Sequence, residues 1–150
     1  MGFQKKAYVS QAVGKPGLKS RDLPDHHLPK IVEGNGLKEG AFAFAGTSPE
    51  QVKGTALAGT SPIGFAALQR YQANLTGGNT MTINEGEEVA VYLDGYFFAK
   101  TGTAAKGDKV LVDPLTGAIS AAASVSEGLT DTGWVVETAS DVNGIAEIHK

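Results

Sequence analysis

The sequence predicts an all-β protein: a small β-sandwich or barrel, jelly-roll-like in form, with an extended N-terminal arm. Three observations carry this. Short apolar runs alternate with polar positions and are separated by Gly, Pro, Asn and Asp, as strands and turns are. No stretch of the 150 residues shows a long apolar stripe at helical spacing. The leading segment is broken by Gly14-Lys15-Pro16-Gly17, Pro24 and Pro29, and its apolar residues are too sparse to form a core. The expected division is an extended basic arm over residues 1–40 and a β-rich body over residues 41–150. That length suits one domain with an arm.

The elements follow in chain order. Ala41–Ala45 alternates large and small side chains, as a strand with one bulky face does. Ala45-Gly46-Thr47-Ser48-Pro49 then recurs as Ala58-Gly59-Thr60-Ser61-Pro62, which reads as two equivalent corners flanking one short element. Ile63–Leu75 fits both periods and is taken as a strand because its surroundings are β-like. Thr80–Ile83 leads into an acidic turn, Asn84-Glu85-Gly86-Glu87. Strands at Glu88–Leu93 and Tyr96–Lys100 flank Asp94-Gly95, a strong hairpin signal. Lys109–Val112, a turn at Asp113–Gly117 and a short strand from Ala118 come next. Thr132–Thr138 and Ile145–His149, joined through Asp141–Gly144, close the chain.

Charge is distributed unevenly around a net of −3. Residues 1–38 hold seven bases against three acids, whereas residues 81–150 hold eleven acids against four lysines. A basic leader on an acidic body points to an arm that meets an acidic protein surface, such as that of a neighbouring copy, with an ordinary solvated segment as the competing reading. Nucleic acid is not expected as a partner, because the bases are spaced singly and only Phe3 and Tyr8 could stack on bases.

Reactive chemistry is not expected. The absence of Cys excludes disulfides, thiolate zinc sites, iron–sulfur clusters and a cysteine nucleophile. His26-His27, near Asp22 and Asp25, is the best metal candidate, but adjacent residues on an extended chain face opposite ways. His149 reads as a solvated terminal residue. Serines lack the Gly-x-Ser-x-Gly elbow, and Gly34-Asn35-Gly36-Leu37-Lys38-Glu39-Gly40 has the wrong spacing for a dinucleotide loop. Glu85, Glu87 and Glu88 lack the calcium-loop pattern and read as a solvated turn. The expectation is therefore no enzyme, no cofactor and no metal. Lys5 and Lys6 interrupt any export signal, and Lys6 stands where a myristoylation motif wants Ser or Thr. The Asn74-Leu75-Thr76 sequon reads as chance, no apolar run is long enough for a membrane helix, and a cytosolic origin is expected.

The chain opens on Phe3-Gln4-Lys5-Lys6 and the turn Gln11-Ala12-Val13-Gly14-Lys15-Pro16-Gly17. Asn84–Val91 is an acidic turn before a valine-rich strand, Lys106–Ala118 carries a Gly-Asp to Thr-Gly-Ala pattern, and a final Ile- and Val-rich strand is reached through Gly144. In this order of features the chain resembles the structural cement, or capsid decoration, proteins of tailed bacteriophages, whereas the Ala-Gly-Thr-Ser-Pro duplication is a departure from that family. The resemblance implies a non-enzymatic protein of the virion that binds the outer capsid surface at junctions between capsomers. Its implied partner is the major capsid protein of the same phage. A homo-oligomer is implied too (a trimer favoured, a dimer as the other form), made in the host bacterial cytoplasm without nucleic acid or membrane partners. The arm residues expected to contact the capsid or a neighbour are Phe3, Lys5, Lys6, Tyr8, Lys15, Lys19 and Arg21.

Two other classes compete. A carbohydrate-binding or tail-fibre-type adhesion module needs an exposed aromatic platform, for which Tyr92, Tyr96, Phe97, Phe98 and Trp134 are the candidates. Most of these lie on strands and read as core. A small hydrolase would need a matched acid–base pair, and no such pattern stands out.

Overall fold

The computed structural model describes residues 16–67 and 82–150. It is all-β, with ten strands among these residues. Strands β1 (His27–Val32), β2 (Phe42–Ala45), β3 (Gln51–Lys53), β4 (Gly64–Ala66) and β5 (Glu88–Tyr92) close into a barrel in the order β1-β3-β2-β4-β5. The other five form an open antiparallel sheet in the order β6-β10-β9-β7-β8. They are β6 (Tyr96–Lys100), β7 (Lys109–Val112), β8 (Ile119–Ala122), β9 (Thr130–Thr138) and β10 (Ile145–His149).

The alternation in β2 explains how barrel and sheet pack. Ala43 points into the barrel with Val32, Leu37, Val52, Ala66, Ile83, Val89 and Val91. Phe42 and Phe44 point the other way, into a second core with Phe65, Phe97, Trp134, Val136 and Ile148. A five-stranded barrel has a narrow interior, so small and β-branched side chains fill it while the aromatics join barrel to sheet. Phe65 and Ala66 on β4 repeat the division.

Three expectations change. Residues 27–32, expected within the arm, form β1, which pairs antiparallel with β5 from His27↔Tyr92 to Ile31↔Glu88 and parallel with β3. Asp94-Gly95 does not close a hairpin. β5 lies in the barrel between β1 and β4, and β6 pairs with β10, so the turn carries the chain from barrel to sheet. A tight type I′ turn needs positive φ at both central residues, whereas Gly95 alone has it (φ 121°). The two Ala-Gly-Thr-Ser-Pro copies also differ. The first closes the β2–β3 hairpin, where the Thr47 amide and hydroxyl donate to the Glu33 carboxylate at 2.7 and 2.6 Å. In the second, Gly59 has a positive φ and nothing lies within 4 Å of its would-be Cβ.

The remaining turns behave as expected. Asp113–Gly117 joins β7 to β8, with the Gly117 amide donating to the Asp113 carbonyl at 2.7 Å. The Asp141 carboxylate accepts from the amides of Asn143 and Ile145 before β10. Of Ile63–Leu75, Gly64–Ala66 is β4, and residues 68–75 lie outside the described residues.

Candidate functional site

Lys19 and Arg21 are the two expected contact residues that the structure describes; Phe3, Lys5, Lys6, Tyr8 and Lys15 lie outside the described residues. The chain from Gly17 to Ser20 runs along the outer edge of β6. The Gly17 amide donates to the Phe98 carbonyl at 2.8 Å, the Phe98 amide to the Leu18 carbonyl at 2.9 Å, and the Ser20 amide to the Tyr96 carbonyl at 2.9 Å. Lys19 and Phe97 form an antiparallel bridge. The open edge of the sheet is thus capped by the leading segment, which satisfies backbone groups that would otherwise face solvent or another chain.

Side chains reinforce this seat. The Arg21 guanidinium donates to both Glu147 carboxylate oxygens at 2.8 and 3.3 Å, lies 4.6 Å from the Tyr96 ring centroid and approaches Glu137 at 3.8 Å. The bond to Glu147 raises the guanidinium pKa. Burial pushes the Glu147 carboxyl up, but hydrogen bonds from Arg21 and Thr138 together with the guanidinium charge outweigh it, and the net value falls below the usual carboxylate range. Glu137 is shared with Lys106 at 3.7 Å and His149 at 3.1 Å, and the His149 ring stacks on Tyr96. Lys19 pairs with Asp25, and that hydrogen bond raises its pKa. Lys19 and Arg21 therefore both meet acidic groups of their own chain.

Glu147 and Glu137 were not singled out from sequence. The available signal was Glu147 itself, a carboxylate within the apolar run Ile145-Ala146-Glu147-Ile148, since a charge in a buried strand needs a partner. A register shift at Glu147/Ile148 places Glu147 opposite Thr138. Such bulges re-aim side chains.

The two histidines diverge. The His26 amide and ring Nδ1 both bond the Asp94 carboxylate, at 2.6 and 2.7 Å, while the His27 ring packs against Tyr92 at 4.9 Å. Among the described residues, no three His, Asp or Glu side chains gather as a metal site would require. Bonding to Asp94 raises the His26 pKa, and bonding to His26 lowers that of Asp94. The stabilisation from His26 is fully present below the ordinary imidazole value and is lost as pH rises through the raised one. That from Asp94 is present above the ordinary carboxyl value and is lost as pH falls through the lowered one. The junction between leading segment and barrel is therefore tightest between these limits. Proton NMR of the imidazole should give a His26 pKa above the ordinary value, dropping back in Asp94→Asn; equal values in both proteins would refute the coupling.

The aromatic platform needed for sugar binding is not formed around Trp134, which is 1% exposed and sits 6.0, 5.8 and 6.1 Å from the rings of Phe42, Phe65 and Phe97. Exposed apolar side chains occur elsewhere. Leu57 and Leu115 are 81% and 62% exposed, on loops tied together by the Ala56 amide donating to the Pro114 carbonyl at 2.7 Å. Beside them runs a groove of about 500 Å³, lined by Gly54, Gly117 and Ile119 and flanked by Pro16, Lys38 and Lys100.

Among curated proteins none matches the sequence. The structure is similar to a chain of "The capsid of Myoviridae Phage XM1", with a TM-score of 0.67 and 16% identity over 99% of this chain and 97% of that one. At that identity the likeness speaks to the fold. The family model described as structural cement protein (E217 gp24/Pam3 gp6) matches residues 3–149, nearly the whole chain. On that match, with a fold shared with a phage capsid chain, the chain belongs to the structural cement protein family.

Proposed function

We propose that this protein binds the outer surface of a phage capsid at junctions between capsomers and fastens the shell without catalysis. Membership of a structural cement family carries the reading. The partner is the major capsid protein of the same phage, and the copies act as a homo-oligomer, a trimer favoured, on a virion assembled in the host bacterium. The basic leader and acidic body support repeated contacts of one kind across an array. Apolar area buried across a seam contributes roughly 25 cal/mol per Å² before the cost of ordering the chain. Many weak contacts made together raise the effective concentration of each, so a shell can be reinforced even where single contacts are modest.

Cosedimentation with empty expanded capsids tests the proposal. The full-length chain should pellet with the shells. A version lacking residues 1–15, which removes Phe3, Lys5, Lys6, Tyr8 and Lys15, should attach more weakly, and added salt should loosen the electrostatic share. Full-length protein that stays in the supernatant would refute the capsid role. Undiminished attachment of the shortened form would refute a contact role for those five residues.

A further inference from the structure

We infer that residues 16–21 are an exchangeable edge strand: the rim of β6 and β10 that seats this segment in one copy is a socket that takes the same segment from a neighbouring copy. What fits the socket is visible in the fold, because the segment already occupies it. Gly17, Leu18 and Ser20 satisfy the β6 edge through main-chain bonds, and Arg21 fills the site formed by Glu147, Glu137 and Tyr96. None of these contacts depends on which chain supplies the segment, so an identical copy fits the rim equally well.

The connection to the body permits the exchange. Between Arg21 and the His26–Asp94 bond the chain has no regular structure, contains Pro24 and leaves Leu23 45% exposed. Asp25 pairs with Lys19 across this connection, so exchange must re-form that ion pair around the new path. The five steps from residue 21 to residue 26 span at most roughly 17 Å when extended. Exchange therefore requires copies packed side by side. Closed and exchanged forms make the same edge-strand and Arg21 bonds and differ in the path of residues 22–25, in the Lys19–Asp25 pair and in the entropy of association. Crowding removes most of that entropic difference, because it supplies a high effective concentration of neighbouring segments. The consequence is a chain-to-chain tie that uses no new surface. The inference can be tested without a capsid, so its failure and that of the capsid reading are separable.

The test is charge-reversal complementation in solution. Arg21→Glu places like charges against its own Glu147, and Glu147→Arg does so against its own Arg21. In a mixture, the acidic segment of the Arg21→Glu chain meets the basic rim of the Glu147→Arg chain. The unchanged Arg21 of the second chain meets the unchanged Glu147 of the first, so both contacts are restored only by reciprocal exchange. Each variant alone should sediment no larger than the parent, with tryptic cleavage after Lys19 roughly tenfold faster than in the parent, as expected for a locally opened edge. The mixture should form a species holding the two chains in equal numbers and larger than either variant alone, with cleavage back at the parent rate. A mixture that sediments and is cut as the sum of its parts would overturn the inference. Fluorescence of Trp134, the single buried tryptophan, reports whether each variant keeps its core. Should either variant lose it, the parent decides. Refolding equal parts of differently isotope-labelled protein at high concentration should give intermolecular NMR contacts between residues 17–20 and 96–98, and their absence would overturn the inference equally.

Discussion

Replacing Trp134 with alanine is expected to remove about 3–5 kcal/mol of folding free energy, the usual cost of deleting a large buried aromatic and leaving a cavity. Trp134 is contributed by β9 of the open sheet, yet its ring neighbours Phe42 and Phe65 belong to the barrel. The side chain thus joins the two halves of the molecule, and neither wall of the resulting void can collapse without moving a whole sheet. For a chain of this size each kcal/mol shifts the melting midpoint by roughly 2–4 °C, so a drop of around 10 °C or more should appear in circular dichroism melts. Trp134→Phe should cost less, because it keeps a ring among Phe42, Phe65 and Phe97. An alanine variant that melts within a degree or two of the parent would show that the ring does not hold barrel to sheet.

Gly54→Ala should be nearly as damaging for a different reason. A Cβ at Gly54 would lie 2.2 Å from the Gly36 carbonyl oxygen, 2.4 Å from its carbon and 2.6 Å from the Leu37 amide. These are backbone atoms, which cannot step aside as a flexible side chain can. On the other side, the Gly54 carbonyl is only 2.8 Å from the would-be Cβ of Gly117 in the β7–β8 turn. Overpacking a tight site commonly costs about 1–3 kcal/mol, and two unyielding backbones place this case at the upper end or beyond. Gly59→Ala is the control. Gly59 has φ +80° and open space around it, so that variant should show only the strain of a left-handed residue, about 1 kcal/mol. Urea unfolding of the two variants separates the effects; a smaller loss in Gly54→Ala than in Gly59→Ala would contradict the close approach.

The resemblance stated from sequence holds because it rested on turn motifs, and turns are local. Asp113–Gly117 and Asp141–Gly144 hold their bends with their own side chains and backbone. The large–small alternation of residues 41–45 likewise announced a two-faced strand, since side chains alternate every residue. Less could be read of the contact surface. Arg21 meets Glu147 across 126 positions, and nothing in the spacing of either residue names the other. Asp94-Gly95 shows the same limit: the pair specifies a bend, but β1 and β4 hold both edges of β5, so the bend becomes a crossing between sheets.

The positions of β2 and of β5 to β10, turn chemistry, the cysteine-free composition and the polarity of charge along the chain follow from the residues alone, because φ/ψ preferences, side-chain alternation and formal charge act within a few positions. Barrel closure by β1, the burial of Trp134 between two sheets, the different settings of the repeated Ala-Gly-Thr-Ser-Pro corners and the seat of Arg21 arose only on folding. Each of these depends on which of several compatible edges and faces meet. That choice is made by the free energy of the whole packed arrangement, not by any segment of it.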